Sequence, residues 1–128
     1  MSRIMHIALK VDDLEAATRF YVDVFGFREL DTSSRDGHTS RHLSDGTTDL
    51  ALMKYESEEM PEALWAGPGQ CIHHFGLEVE DKAVMADRIA AAGCEILSKP
   101  GSKGALKFRT PHGIVAELIQ KGGLSPTR

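Results

Sequence analysis

Apolar and polar residues alternate along residues 4–11. Ile7, Leu9 and Val11 share one face, and His6, Ala8 and Lys10 share the other, the period-two pattern of a strand. A helix is predicted directly afterwards. Asp12 with Glu15 three residues on matches a capping box, and Leu14, Ala17, Phe20, Tyr21 and Val24 recur at helical spacing as a broad apolar stripe. Gly26 stands where a left-handed residue would close that helix. Strands follow at about 27–32, 39–43 and 49–55, with Asp36-Gly37 and Asp45-Gly46 supplying turn chemistry between them.

The same order of elements then repeats. His6-Ile7-Ala8-Leu9-Lys10-Val11-Asp12-Asp13 recurs as His74-Phe75-Gly76-Leu77-Glu78-Val79-Glu80-Asp81, which marks a structural unit used twice. The second unit predicts a strand at about 72–79 and a helix from near Asp81 to Ala92, stopped by Gly93. Its apolar stripe is weaker: Met85, Ile89 and Ala92, with Val84 beside it. Strands at about 95–98, 106–109 and 114–120 complete it, with a turn at Pro111-His112-Gly113. Both helical stripes are expected to be core. The chain is thus read as one domain over residues 1–128, with a first βαβββ module at 2–57, a linker at 58–69, a second module at 70–121 and a frayed tail at 122–128. Trp65 is expected to anchor the linker to the body.

Composition narrows the class without naming the activity. A length of 128 residues suits a single core. The formal net charge of −4 argues against nucleic acid as a partner. No apolar run approaches the roughly 20 residues that span a bilayer, and no apolar h-region follows the N-terminus, so a cytoplasmic location is expected. Cys71 and Cys94 have neither the density of a disulfide scaffold nor the spacing of a zinc knuckle.

Chemistry concentrates on three residues. If Ile114, Ala116 and Leu118 pack toward the helix layer, Val115, Glu117 and Ile119 face the other way. A glutamate among apolar neighbours on a strand needs a partner. His6 and His74 also point away from the helix side. Two histidines and one glutamate on inner strand faces form a set that leaves coordination positions open and suits Fe(II) or Mn(II), with other first-row ions allowed. His73, adjacent to His74, is expected to point to the opposite face.

The double βαβββ pattern resembles the vicinal oxygen chelate superfamily of glyoxalase I, methylmalonyl-CoA epimerase, extradiol dioxygenases and the fosfomycin- and bleomycin-resistance proteins. The likeness is carried by His6 to Leu14 followed by Phe20-Tyr21 and Phe25-Gly26-Phe27, by His74 to Val79, and by Phe108-Arg109-Thr110-Pro111-His112-Gly113 leading to Glu117-Leu118. The resemblance implies an α+β fold: two βαβββ modules in a cupped, mostly antiparallel mixed sheet, with helices on the outer face. It implies His6, His74 and Glu117 as ligands of a divalent ion (Fe, Mn, Ni, Co or Zn). It also implies a small-molecule substrate and a homodimer. Glyoxalase I-like members add a carboxylate ligand where this chain has Ala51; Asp49 lies two residues earlier on the same face. Extradiol dioxygenases carry a tyrosine where this chain has Lys107, and a histidine upstream where it has Ser98-Lys99-Pro100.

The leading expectation is a metal-dependent lyase or isomerase of glyoxalase or epimerase type, chelating vicinal oxygens of a small anionic metabolite. A ring-cleaving Fe(II) or Mn(II) dioxygenase and a non-catalytic drug- or metabolite-binding protein are the rivals. Glu117, Asp49 and His42 are the candidates for the base. Lys107 and Arg109 share one strand face and could meet an anionic substrate. Arg41 or His42, though not both, is expected to reach the cup; His38 is a further candidate for substrate contact, and His112 is expected to be exposed.

Overall fold

The computed structural model describes residues 1–126. All eight strands form one mixed sheet. The first half contributes β1 (Arg3–Lys10), α1 (Leu14–Phe25), β2 (Arg28–Arg35), β3 (His38–Ser44) and β4 (Asp49–Tyr55). A short helix α2 (Pro61–Leu64) interrupts the linker. The second half contributes β5 (Cys71–Val79), α3 (Lys82–Ala91), β6 (Glu95–Ile96), β7 (Leu106–Arg109) and β8 (Val115–Gln120). The strand order is β2-β3-β4-β1-β5-β8-β7-β6. Within each half the first strand runs parallel to the last. The other pairings are antiparallel, including β1 with β5, which joins the halves. The two copies of the repeated segment therefore meet head to tail at the centre of the sheet.

Local chemistry explains the element ends, with one correction. Asp13, not Asp12, caps α1: its Oδ1 accepts from Ala16 N–H at 2.9 Å. Asp81 caps α3 in the same way, accepting from Val84 N–H. A single acceptor three residues before a free N–H is what an N-cap requires, and either aspartate had the right chemistry. Gly26 ends α1 at φ 74°. At the β2–β3 hairpin both Asp36 and Gly37 have positive φ, 51° and 81°, the conformation of the tight turn that Asp-Gly favours.

The helices cover the outer face. There Met85, Ala86 and Ile89 of α3 pack on Val79, Phe108, Ala116 and Leu118. The core expectation for α1 holds only in part, since Leu14, Ala17 and Tyr21 are half-buried and none of the stripe is fully buried. Thr18 is its one buried residue among those described, while Phe20 and Val24 are 51% and 61% exposed. Arg41 crosses from β3 to α1 and bonds Thr18 and Glu15, so a polar contact occupies the seam where the stripe was expected to dock. Val84 of α3 and Ala92 at its C-cap are likewise exposed.

The inner face is filled by chain rather than left open. Ala63 of α2 packs on Ala8, Ala51, Met53 and Tyr55. Buried Lys10 donates to the carbonyls of Ala63 and Gly67, both at 2.7 Å, which ties the linker down. The tail does not fray over its described length. It runs from β8 to β3, where Pro126 is buried and its carbonyl accepts from Ser44 Oγ.

Replacing the α1 cap, Asp13→Ala, should lower the unfolding free energy by about 1 kcal/mol. The check is the urea midpoint, and an unmoved midpoint would remove Asp13 from the account of where α1 begins.

Candidate metal centre

Two neighbouring rows of the sheet build the site. In one row, register aligns Ser44 on β3, Asp49 on β4, His6 on β1, Gly76 on β5, Glu117 on β8 and Lys107 on β7. In the next row it aligns His42, Ala51, Ala8 and His74. Residues in register across a sheet share a face, so every one of these side chains belongs to the inner face. Gly76 opens the middle of the first row. A Cβ there would sit 2.7 Å from Ile119 Cδ1 and 3.0 Å from both Cβ and Cδ2 of His6. Only glycine lets the His6 ring lie over β5 toward Glu117.

Three donor atoms converge in that opening. His6 Nε2 lies 3.1 Å from Glu117 Oε1 and 3.4 Å from His74 Nε2, and His74 Nε2 lies 3.4 Å from Glu117 Oε1. Ligands about 2.1 Å from a common ion stand about 3.0 Å apart at right angles and about 3.4 Å apart in a tetrahedron. The measured spacings fall in that interval, so this donor set fits a divalent cation. All three residues are buried, at 3%, 4% and 6% exposure. Partly exposed His42 stands at the margin.

Asp49 takes a different position from a fourth ligand. Its Oδ1 is 2.6 Å from His6 Nδ1, and His42 Nδ1 is 2.9 and 2.8 Å from its two oxygens. The 2.6 Å contact is that of a charge-assisted hydrogen bond, shorter than the spacing of ligands on one ion. His6 thus donates from Nδ1 to a buried carboxylate, and its Nε2 is left for the opening. A carboxylate behind a ligating imidazole orients the ring and raises its basicity. Ala51, at the row position equivalent to Glu117, brings no donor.

Electrostatics follow from this crowding. Burial disfavours charge on His6, but hydrogen bonds and attraction from Asp49 and Glu117 outweigh it and raise its pKa to about 9. Burial likewise opposes the Glu117 carboxylate, yet the hydrogen bond from His6 and the close approach of the His74 imidazole hold its pKa well below the usual value. Asp49 is lowered in the same manner by His42 and His6. Burial pushes His73 down to about 4, and its bond to the Glu62 backbone only partly offsets this.

Other expected site residues distribute unevenly. Lys107 reaches the site, with Nζ 3.8 Å from Glu117 Oε2. His42 faces inward, whereas Arg41 is turned to the helix face and bonded to Thr18, Thr32 and Glu15; alternation along β3 allows only one of the two inside. Arg109 shares the Lys107 face but is committed to structure: Nη1 donates to the carbonyls of Trp65 and Gly113, both at 3.1 Å. That bond, with the Trp65 ring beside His73, ties Trp65 to the body. His112 is exposed.

His73 overturns the alternation argument. The β1–β5 register shifts from Ala8↔His74 to Leu9↔Ile72, so His73 is an inserted residue. A bulge of this kind re-aims a side chain, and His73 lies with its ring against His74 rather than on the helix face. Glu62 is a residue the sequence did not single out. Its carboxylate comes from α2 to within 3.8 Å of Lys107 Nζ and 3.5 Å of His38 Nδ1. Nothing in the acidic linker distinguishes it from Glu56, Glu58 or Glu59.

The family described as the Glyoxalase/Bleomycin resistance protein/Dioxygenase superfamily matches residues 3–118. An ethylmalonyl-CoA/methylmalonyl-CoA epimerase of Cereibacter sphaeroides is 32% identical over 132 residues, covering 94% of this chain and 98% of that protein. A probable chloroplastic lactoylglutathione lyase of Arabidopsis thaliana is 25% identical over 130 residues. That match covers 94% of this chain but 36% of the lyase, and a second lyase of the same plant is covered over 44%. The chain therefore spans less than half the length of these plant relatives. A solved variant of Streptomyces coelicolor methylmalonyl-CoA epimerase, in complex with 2-nitronate-propionyl-CoA, superposes with a TM-score of 0.75 at 27% identity, covering 92% of this chain and 96% of that one.

The metal-free protein should be most stable near pH 6.5. Above it, the folded state holds a proton on His6 up to about pH 9 that the unfolded chain releases near 6.5, so that stabilisation is lost as pH rises through 9. Below it, the unfolded chain protonates His73 while the folded state resists down to about pH 4, so stability falls with pH. Each arm is worth up to about 3 kcal/mol. Urea midpoints on chelator-treated protein between pH 4 and 9.5 measure the curve, and a midpoint that climbs steadily from pH 7 to 9 contradicts it.

Proposed function

The chain belongs to the glyoxalase/bleomycin resistance protein/dioxygenase superfamily, and on that premise we propose that it is a metal-dependent lyase or isomerase. In this reading it moves a proton next to a carbonyl of a small anionic substrate with neighbouring oxygens. The observation that carries the reading is the convergence of His6 Nε2, His74 Nε2 and Glu117 Oε1 within 3.1–3.4 Å, with the far nitrogen of His6 bonded to Asp49. His6, His74 and Glu117 would hold a divalent cation, which would supply Lewis acidity toward negative charge on substrate oxygens.

The protein's own groups do the rest. His42 donates from Nδ1 to Asp49, which fixes its tautomer and leaves Nε2 to take a proton. Of the three candidate bases, Asp49 is 1% exposed and already accepts from two imidazoles, and Glu117 is committed to the ion, so the role falls to His42. Lys107 lies on the opposite flank. His42 stands across from Ala51, which is in register with Ala8; Lys107 stands across from Glu117, which is in register with Gly76. Ala8 and Gly76 are equivalent in the repeat, so His42 and Lys107 are mates about the pseudo-two-fold axis. The Lys107 ammonium gives a substrate carboxylate a partner on the side away from the base.

Similarity at 32% identity over 98% of an ethylmalonyl-CoA/methylmalonyl-CoA epimerase favours epimerase-type chemistry on a carboxylated acyl group. Lys107 in place of a tyrosine weighs against the dioxygenase alternative.

The test has four parts. Elemental analysis of purified protein should find one divalent ion per chain; absence of metal, with binding of the substrate panel but no turnover, would establish the passive binder instead. Incubation with Ni(II), Co(II), Mn(II) or Zn(II) in D2O should exchange deuterium into a 2-carboxyacyl thioester without oxygen uptake, whereas oxygen consumption with catechols would establish the dioxygenase. His42→Ala should lower kcat by about 100- to 10,000-fold and keep the metal. Gly76→Ala, whose added carbon strikes the His6 side chain, should lose the metal while the chain still folds. Full metal content in Gly76→Ala would refute this construction of the site.

A further inference from the structure

We propose that His73 is a positioning residue that sets the tautomer of His74, and that it does so by relaying a hydrogen bond from the backbone carbonyl of Glu62. The inference rests on the ligand role given to His74 above. It begins with two short contacts. His73 Nε2 lies 2.7 Å from the Glu62 carbonyl oxygen, and His73 Nδ1 lies 2.7 Å from His74 Nδ1. The rings meet edge to face, at 77° and 5.0 Å between centroids.

Donor counting fixes the protons. A carbonyl oxygen only accepts, so His73 Nε2 carries a hydrogen and donates it. His73 is 2% exposed, and a second proton on Nδ1 would put an unpaired cation in the interior, as well as a donor facing the other Nδ1. A neutral His73 therefore presents the Nδ1 lone pair and accepts from His74 Nδ1–H. His74 Nε2 must then carry a lone pair, and that lone pair is the one aimed at His6 Nε2 and Glu117 Oε1. Without the relay, His74 can place its hydrogen on Nε2 and lose its donor at the site.

The surrounding structure serves this geometry. The bulge that inserts His73 beside His74 brings the two rings together. Tyr55 and Trp65 flank the His73 ring at 5.8 and 6.3 Å between centroids. Lys10 fixes α2 through the carbonyls of Ala63 and Gly67, which holds the neighbouring Glu62 carbonyl in place. The two imidazoles of the site are thus oriented by unlike means: His6 by an anion, and His74 by a neutral relay ending on the linker helix.

The experiment compares wild type, His73→Leu and His73→Gln. The glutamine amide keeps both functions, since its N–H can donate to the Glu62 carbonyl and its oxygen can accept from His74. Long-range 1H–15N spectra of the metal-free proteins should show His74 as the Nδ1–H tautomer in wild type and His73→Gln. In His73→Leu they should show a substantial Nε2–H population. Zn(II) affinity, read by competition with a chromophoric chelator, should fall 10- to 100-fold in His73→Leu and recover to within a few-fold in His73→Gln. An unchanged His74 tautomer in a folded His73→Leu protein overturns the proposal, as does a folded His73→Gln protein without recovery. If wild type itself takes up no Zn(II), the ligand assignment fails, while the metal-free spectra still decide what His73 does to His74.

Discussion

The antiparallel pairing of β1 with β5 is the constraint from which the rest follows. It brings two copies of one segment together at the centre of the sheet, in a register that sets His6 opposite Gly76 and Ala8 opposite His74. Because side chains alternate with period two, a one-residue slip would send a whole strand's inner residues to the helix side. The parallel pairings of β1 with β4 and β5 with β8 extend the same rows to Asp49 and Glu117. The site is thus a consequence of sheet register, and its donors sit on strands rather than on loops.

Placing so many polar groups inside a sheet carries an energetic cost that the fold meets locally. His6, Lys10 and His73 are each buried beside partners suited to their charge. His6 lies between two carboxylates, Lys10 donates to two carbonyls, and His73 bridges a carbonyl and an imidazole. Half of these partners come from outside the sheet rows: the carbonyls of Glu62, Ala63 and Gly67, in α2 and the linker. The segment that reads as a mere connection between modules therefore supplies hydrogen bonds without which several inner-face residues would be buried unpaired.

The duplicated scaffold is filled unsymmetrically. Equivalent positions hold Glu117 and Ala51, and Lys107 and His42. Asp49 contributes charge in the first half, one step behind the imidazole that it orients. Symmetry of the backbone thus provides two flanks around one centre, and the differences between side chains make those flanks unlike: an imidazole bonded to a carboxylate on one, an ammonium beside Glu117 on the other. The exposed apolar residues of α1 show the same independence of pattern from use. Phe20 and Val24 obey helical spacing, yet the seam beneath the helix is held by Arg41, Thr18 and Glu15.

The sequence alone determined what is local or repeated: the order of the elements, the turn pairs, the inner faces of β1 and β8, and the correspondence of His6 with His74. Each is written in period-two alternation, glycine placement or the repeat, all of which act over a few residues or copy themselves. The position of Glu117 relative to the histidines was inferable because it is the one charged residue in an otherwise apolar run, where it needs a partner. Tertiary structure decided everything that depends on how distant segments meet. A single-residue bulge, invisible in the alternation of His73 and His74, turned His73 inward, and strand pairing made Asp49 a partner of His6 rather than a donor beside Glu117. Packing placed Glu62 over the inner face and left Phe20 and Val24 of the α1 stripe exposed. Hydrogen-bond register and the docking of a linker are fixed by contacts between residues far apart in the chain, and a local pattern of side chains carries no record of them.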